Sequence, residues 1–346
     1  MAIIYFILIL SLIVLVHEFG HFIFAKMFGI YVYEFSIGMG PKLFSKQDKK
    51  KETTYSIRAI PLGGYVSLAG EQVEEDTDIP KNRKLQSKPA WQRFLVMFFG
   101  AGNNFILAIL LLFAIGLCFG STDQTPYITG VVENYPAVEA GLEANDKVLS
   151  INNHKVSSID DISLYITLAK KDKPIKFTVE KKNGNKETYQ VKPRKEKIEN
   201  QTTYVIGITM EGKKQSGFLA AIKYSFSKTR SIFKQMYVVI GNLITGGLSI
   251  NSLSGPVGIY NIVSEQSKTG LANMLYLIAY LSINVGVINL IPLPAFDGGR
   301  ILFLIIEKIK GSPVKASTEN LIHTIGFILL MLLMVYVTLH DIITIF

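Results

Sequence analysis

Residues 12–24 read LIVLVHEFGHFIF, and the preceding stretch, 2–16, is apolar apart from Ser11. Together they form an apolar run over about 2–28, long enough to cross a bilayer as a helix. Within it stand His17-Glu18-Phe19-Gly20-His21. On a helix, positions four apart share a face, so both imidazoles reach one metal ion. Glu18 then sits beside that ion, placed to take a proton from its bound water. A bare HExxH pattern occurs by chance in soluble chains. In a membrane helix it is harder to dismiss, because an ionisable side chain in the bilayer interior costs about 2.5–3.5 kcal/mol on insertion scales. Gly20 thins the helix surface and allows another helix to come close. A secretory signal peptide fits poorly, since no basic region precedes the apolar run and no small-residue cleavage pattern follows it.

The composition agrees with a membrane setting. Of 346 residues, 49% are hydrophobic, and the mean hydropathy of +0.32 is high for a soluble protein. The net charge of +9 is accounted for by loops facing anionic lipid, and it points to the bilayer rather than to nucleic acid. With Cys118 the sole cysteine, a disulfide framework and a thiolate metal site are both excluded within the chain. A metal must therefore use histidine and carboxylate ligands, a donor set that suits zinc.

Three further apolar stretches predict spans at about 94–119, 271–293 and 321–346. Lysines and arginines crowd 42–51 and 81–93, between the first two spans, and 308–315, between the last two. Both loops are therefore expected on the cytosolic side. The N-terminus, the long middle segment and the C-terminus then face outward. His17 lies about 22 Å along the first helix from Ala2, toward the cytosolic face.

Between the first two spans, the β-prone runs 54–60 and 65–68 flank Pro61-Leu62-Gly63-Gly64 and predict a hairpin turning at the Pro/Gly segment. An ordinary surface hairpin is the default reading; its apolar tip suggests a second, a hairpin that dips into the membrane and pairs with an extended substrate by strand addition, where protein or a water-filled cavity covers the backbone. In the second span, Gly100, Ala101 and Gly102 permit close packing, and Asn103 and Asn104 suit interhelical hydrogen bonds. Residues 123–196 are polar, with short strands expected at 128–133, 147–151, 175–180 and 188–191 and helical spacing at 158–171. The run Pro136-Ala137, Ala140-Gly141-Leu142, Asp146 and 148–152 resembles a PDZ domain, a module that binds extended segments at a sheet edge; a passive domain that limits access by bulk is the other reading. Residues 196–201 read as a charged connector. Residues 218–240, with Lys223, Lys228, Arg230 and Lys234, read as an amphipathic helix on the outer membrane surface.

A catalytic zinc site usually has three protein ligands and one position for water. Asp297 is the leading candidate for the third ligand. It follows Pro292 and Pro294, which end the third span, and precedes Gly298-Gly299, which free the backbone. His154 and His340 belong to the outer side. His323, on the cytosolic side of the fourth span, is the rival.

HEFGH at 17–21, PLGGYV at 61–66, the glycine–asparagine run at 100–105, the PDZ-like segment, LSGPVGI at 253–259 and NLIPLPAFDGGR at 289–300 occur in an order that resembles the site-2 protease family of intramembrane zinc metalloproteases. The resemblance covers nearly the whole chain, and within that family it is to the bacterial regulator of sigma-E protease group, in a single-PDZ form. It implies Zn2+ held by His17, His21 and Asp297, with Glu18 as the catalytic acid/base. It also implies substrate contacts at Asn289, Pro292 and the 54–68 hairpin, with Gly63, Gly64 and Tyr65 at its centre. The substrates implied are single-span membrane proteins, such as anti-sigma factors or signal-peptide remnants, already shortened outside by another protease. The chain departs from the family at Phe296, where leucine is usual, and in having room for one PDZ domain where the sigma-E group often has two.

The expectation is therefore an α-helical polytopic membrane protein with four transmembrane helices, an inserted small α+β PDZ-like domain and a membrane-associated β-hairpin. Residues 1–122 hold the first two spans and the hairpin, 123–196 the PDZ-like domain, and 197–346 the amphipathic helix and last two spans. The expected location is the bacterial cytoplasmic (inner) membrane, with the PDZ-like domain outside. The competing readings are a non-proteolytic membrane adaptor working through that domain and a zinc-dependent transporter. A transporter would spread polar residues along several spans, whereas here they cluster at one depth.

Overall fold

A computed structural model describes residues 1–49, 51–71, 78–170, 173–198, 201–312 and 314–345. The chain forms two compact units, one of residues 1–111 and 250–346 and the other of residues 112–249. Among the described residues, helices α1 (Ala2–Met27), α2 (Ala90–Cys118), α7 (Leu271–Leu290) and α9 (Ala316–Ile345) supply four stretches long and apolar enough to span a membrane, and they match the four expected from sequence. Phe346, expected in the last of them, lies outside the described residues.

The first unit also holds strands β1 (Val32–Gln47) and β2 (Thr54–Leu68), and helices α6 (Pro256–Gln266) and α8 (Asp297–Lys310). Helix α1 buries a single stripe, Ile9, Ile13, His17, Gly20, His21 and Ala25, whose spacing follows the helical repeat. Its other faces stay apolar, with Leu8 59% and Phe19 45% exposed; such a surface suits lipid, not water. One small core joins Ile9 and Ile13 to Val263 of α6 and Leu277 of α7. Another gathers Ala25, Val32, Leu68, Val96, Met97 and Leu304, so the end of α1, the base of the β ribbon, the start of α2 and α8 share one packing point. A bidentate ion pair fastens α8 to α2: Arg93 Nη1 and Nη2 donate to Glu307 Oε2 and Oε1 at 3.0 and 2.5 Å. Asp341 of α9 accepts the Gly258 N–H at 2.8 Å, capping the first turn of α6 from a distant helix.

The β ribbon departs from the expected hairpin. Its turn lies at 48–53, where the Asp48 N–H donates to Thr53 O at 2.9 Å. The Pro61–Gly64 segment is inside β2, and Gly63 there adopts φ +74° and packs over Val14 of α1. The chain reverses here, as the Pro/Gly punctuation predicts, but 54–57 and 64–67 run in opposite directions on either side of 34–37 and pair with it instead of with each other. Glu34, Phe35, Ser36 and Ile37 each register with two partners, one in 54–57 and one in 64–67. The start of β1 is thus the middle of a folded-over ribbon, and 64–68 is an outer strand. The ribbon's bend presents Met39, Leu43, Phe44, Ile60 and Leu62, all exposed, Leu43 to 71%.

In the second unit, strands β3 (Ser121–Thr122) and β4 (Gly130–Val131) precede the short helix α3 (Pro136–Glu139). Next come β5 (Lys147–Ile151), β6 (His154–Lys155), α4 (Ile159–Leu168), β7 (Ile175–Glu180) and β8 (Lys186–Val191). The sheet order is β6-β5-β7-β8. It closes over a core of Ile128, Leu142, Val148, Ile162, Phe177 and Val179. The expected charged connector is instead largely a hairpin of β9 (Arg194–Ile198) and β10 (Gln201–Val205), with residues 199 and 200 outside those described. Strands β11 (Ile208–Thr209) and β12 (Lys214–Gln215) pair back to β4 and β3. Lys171, at the end of the expected helical spacing, is likewise outside the described residues.

Helix α5 (Phe218–Ile244) forms where the amphipathic pattern predicts it, and Lys223 and Arg230 are exposed. Lys228 and Lys234 face α4: Lys228 Nζ lies 2.7 Å from Asp160 Oδ2, and Lys234 Nζ 2.7 Å from Asp161 Oδ2. Ser231 Oγ also donates to Asp160 at 2.9 Å. These cations answer carboxylates in their own unit. Lys228→Met is expected to lower stability by about 1.5–3 kcal/mol, the worth of a charge-assisted hydrogen bond. A thermal-unfolding scan of the full chain in detergent checks it, and an unshifted midpoint for the second unit would refute the clamp.

Candidate metal centre

Helix α1 presents His17 and His21 one turn apart, with ring centroids 4.8 Å apart and planes at 82°. Two glycines make room for them. At Gly20, an added Cβ would run into the carbonyl oxygen of Phe99, so α1 and α2 touch main chain to main chain there. At Gly100, an added Cβ would overlap Cε1 and Nε2 of His21 and come within 3.0 Å of His17 Cε1. The imidazoles therefore occupy a bay left by the missing side chain on α2. His21 Nδ1 lies 2.8 Å from Val96 O. A carbonyl only accepts, so Nδ1 carries the proton and the Nε2 lone pair faces inward.

Asp297 opens α8. Its Oδ2 lies 3.1 Å from His17 Nε2 and 3.3 Å from His21 Nε2, and the two Nε2 atoms are 3.2 Å apart. These three residues form a cluster able to hold a metal ion. The triangle fits zinc closely: ligand bonds of about 2.0–2.1 Å in a tetrahedron put neighbouring ligand atoms about 3.3 Å apart. Asp297 Oδ2 is buried without a hydrogen-bond partner. Electron-rich atoms drawn this close in a buried place call for a cation among them.

Glu18 points to the same place, and its Oε2 accepts the Val66 N–H of the outer strand at 3.0 Å. A cavity of about 310 Å³ is lined by His17, Glu18, His21, Tyr65, Asn289 and Asp297, among others. The structure thus brings together six of the residues singled out from sequence. Asn289 turns its amide back to Val285 O at 3.0 Å, and the Tyr65 hydroxyl accepts from Arg58 Nη2 at 2.5 Å. Gly63, Gly64 and Pro292 are not among the described lining residues. Gly64 packs on Ser36 O, and Pro292 is exposed in the turn after α7. The rival ligand, His323, is not in the triangle; its Nδ1 accepts the Ala295 N–H at 3.1 Å.

Sequence reasoning missed Arg300, which lines the cavity and pairs with Glu71. Burial works against the guanidinium charge, but Glu71 beside it outweighs that and holds the pKa above its usual value. The signal was available: Arg300 is three residues past Asp297, on the same helical face. The second-helix groups Gly100 and Val96 carried no such signal, since one acts by lacking a side chain and the other through its carbonyl.

The chain matches peptidase family M50 over residues 5–333. It is 37% identical to a protein of Enterococcus faecalis called probable protease eep, with 99% of this chain and 98% of that protein aligned. It is 34% identical to the zinc metalloprotease RasP of Bacillus licheniformis and to the regulator of sigma-W protease RasP of Bacillus subtilis, each over 99% of this chain and 98% of the relative. The ligand triangle, the apolar helices and these likenesses agree, and they decide against a mere adaptor: the chain belongs to peptidase family M50, the site-2 protease family, as a multi-pass membrane zinc metalloprotease.

Proposed function

We propose that this protein hydrolyses a peptide bond within or beside the membrane-spanning segment of a single-span protein. His17, His21 and Asp297 would hold zinc, and Glu18 would serve as general base and then acid. The observation that carries the reading is the ligand triangle with Glu18 on the same cavity, set among helices built for lipid. Zinc, when bound, lowers the pKa of its water toward 7 and polarises a carbonyl. Glu18 takes the proton released as water adds to the scissile carbon, and hands it to the leaving amine as the C–N bond breaks.

A helical substrate ties its carbonyls into its own hydrogen bonds, so it must unwind before attack. The outer strand 64–68 offers replacements: it borders the cavity, and its Val66 N–H already reaches Glu18. The exposed apolar bend of the ribbon favours immersion in the membrane, while its lysine-bearing turn favours water. Gly63, Gly64 and Tyr65 would shape this strand, and Asn289 and Pro292 would flank the substrate at the end of α7. Residues 123–196 would form a PDZ-like domain on the outer face of a bacterial cytoplasmic membrane, admitting substrates already trimmed by another protease. One relative is named for regulation of a sigma factor, which favours anti-sigma factors as one substrate class and leaves signal-peptide remnants as another.

The test is cleavage of a purified single-span reporter by the full chain in lipid nanodiscs. Cuts are expected inside the apolar segment, lost on chelation and regained with added zinc. Cleavage indifferent to chelator, or confined to the reporter's soluble part, would refute the proposal.

A further inference from the structure

Asp297 is delivered to the site by the turn 291–296, which ends α7 and begins α8. Most of that turn is tied by its own main chain, as in Leu293 N–H to Ile291 O at 2.7 Å and Gly299 N–H to Phe296 O at 3.0 Å. Ala295 is different. It takes φ +77°, a left-handed conformation that a residue with a Cβ resists. It lines the metal cavity and stands two residues before the ligand. Its N–H is held by His323 Nδ1 of α9, at 3.1 Å. One turn further along α9, Gly326 receives Pro294, because a Cβ there would collide with the proline ring. Only 6% of the apolar window of α9 is buried, so a hydrogen bond and a close approach both aimed at this turn stand out. An N–H can only donate, so Nδ1 is the lone-pair nitrogen and the ring proton is on Nε2. The imidazole is further fixed against Phe303, with ring centroids 5.5 Å apart.

We propose that His323 is a positioning residue for the metal centre. It accepts the Ala295 N–H, keeps that residue in its strained conformation, and so holds the Asp297 carboxylate at the apex of the ligand triangle. Strained backbone persists where its surroundings over-determine it, and such places cluster at functional sites. The inference rests on the zinc-site assignment above, and it gives α9 a task in the chemistry without contact with substrate.

The experiment compares zinc retention by the full chain in detergent against rising chelator, and kcat and KM on the single-span reporter. His323→Leu removes the acceptor. It is expected to lose zinc at about tenfold lower chelator, as is usual when support for a ligand is removed, and to lower kcat with KM nearly unchanged. His323→Asn keeps an acceptor without the ring and is expected to hold zinc nearly as well as wild type. Ala295→Gly tolerates positive φ unaided, so adding it to His323→Leu is expected to restore most of the retention. Wild-type retention in His323→Leu would overturn the proposal. So would a His323→Asn variant that folds yet loses zinc readily, and that test stands even if the leucine variant does not fold. Zinc retention is read without substrate, so its outcome is separate from that of the protease reading, which is decided by where the wild type cuts and whether chelation stops it.

Discussion

Glu18→Gln is expected to slow cleavage by about 10²- to 10⁴-fold, the usual worth of a positioned general base, while zinc stays bound. That range corresponds to about 3–5.5 kcal/mol of barrier. Glutamine has nearly the same shape, and its carbonyl oxygen can still accept the Val66 N–H that Glu18 Oε2 accepts at 3.0 Å. It cannot take a proton from water at neutral pH. Glu18 lies outside the triangle of His17, His21 and Asp297, so bound zinc should match wild type. Two measurements on one preparation decide the matter: metal content by elemental analysis, and reporter cleavage. Cleavage within tenfold of wild type would remove Glu18 from its assigned role. Loss of zinc together with activity would show that Glu18 supports the ligands and would leave the base unidentified.

Gly100→Ala sets two effects against each other. Alanine favours a helix interior over glycine by about 1 kcal/mol, so helix propensity alone predicts a slightly more stable protein. The added methyl, however, would overlap Cε1 and Nε2 of the His21 ring, on the side that faces Asp297. Relief requires a ring rotation, which gives up the hydrogen bond to Val96 O, or a retreat of α2, which the main-chain contact at Gly20 and Phe99 couples to α1. Overpacking of this kind costs about 1–3 kcal/mol, and it falls on the ligands themselves. The expected result is a folded protein with zinc affinity down at least about tenfold and cleavage falling with it. A variant that binds zinc and cleaves like wild type would mean that the bay does not set the position of the imidazoles.

Much of this site could be read from sequence because its chemistry is tied to helical repeat. His17 and His21 share a face by their spacing, and the apolar run around them declares its surroundings. Asp297 was legible because two prolines and two glycines mark the end of one helix and the start of another. The misreadings have a common cause. The chain does reverse near Pro61–Gly64, yet the strands it joins pair with 34–37 and not with each other, while the link between β1 and β2 lies among the charges at 48–53. Of the four cations on α5, Lys228 and Lys234 turn to Asp160 and Asp161 of α4, while Lys223 and Arg230 stay exposed. Arg93 and Glu307 are 214 residues apart, and nothing local announces that they meet. Local pattern sets what a segment can do, and only the fold sets which neighbour it meets.

The contact of Gly20 with the Phe99 carbonyl sets the main chain of α1 against that of α2 at one point, beside the histidines. The width of the imidazole bay is therefore governed by covalent dimensions and not by rotamer choice. A side chain at Gly20 or Gly100 would have to push the two main chains, or the imidazoles, apart. The space for His17 and His21 is thus set by two absent side chains, a boundary that no change of rotamer can widen or narrow.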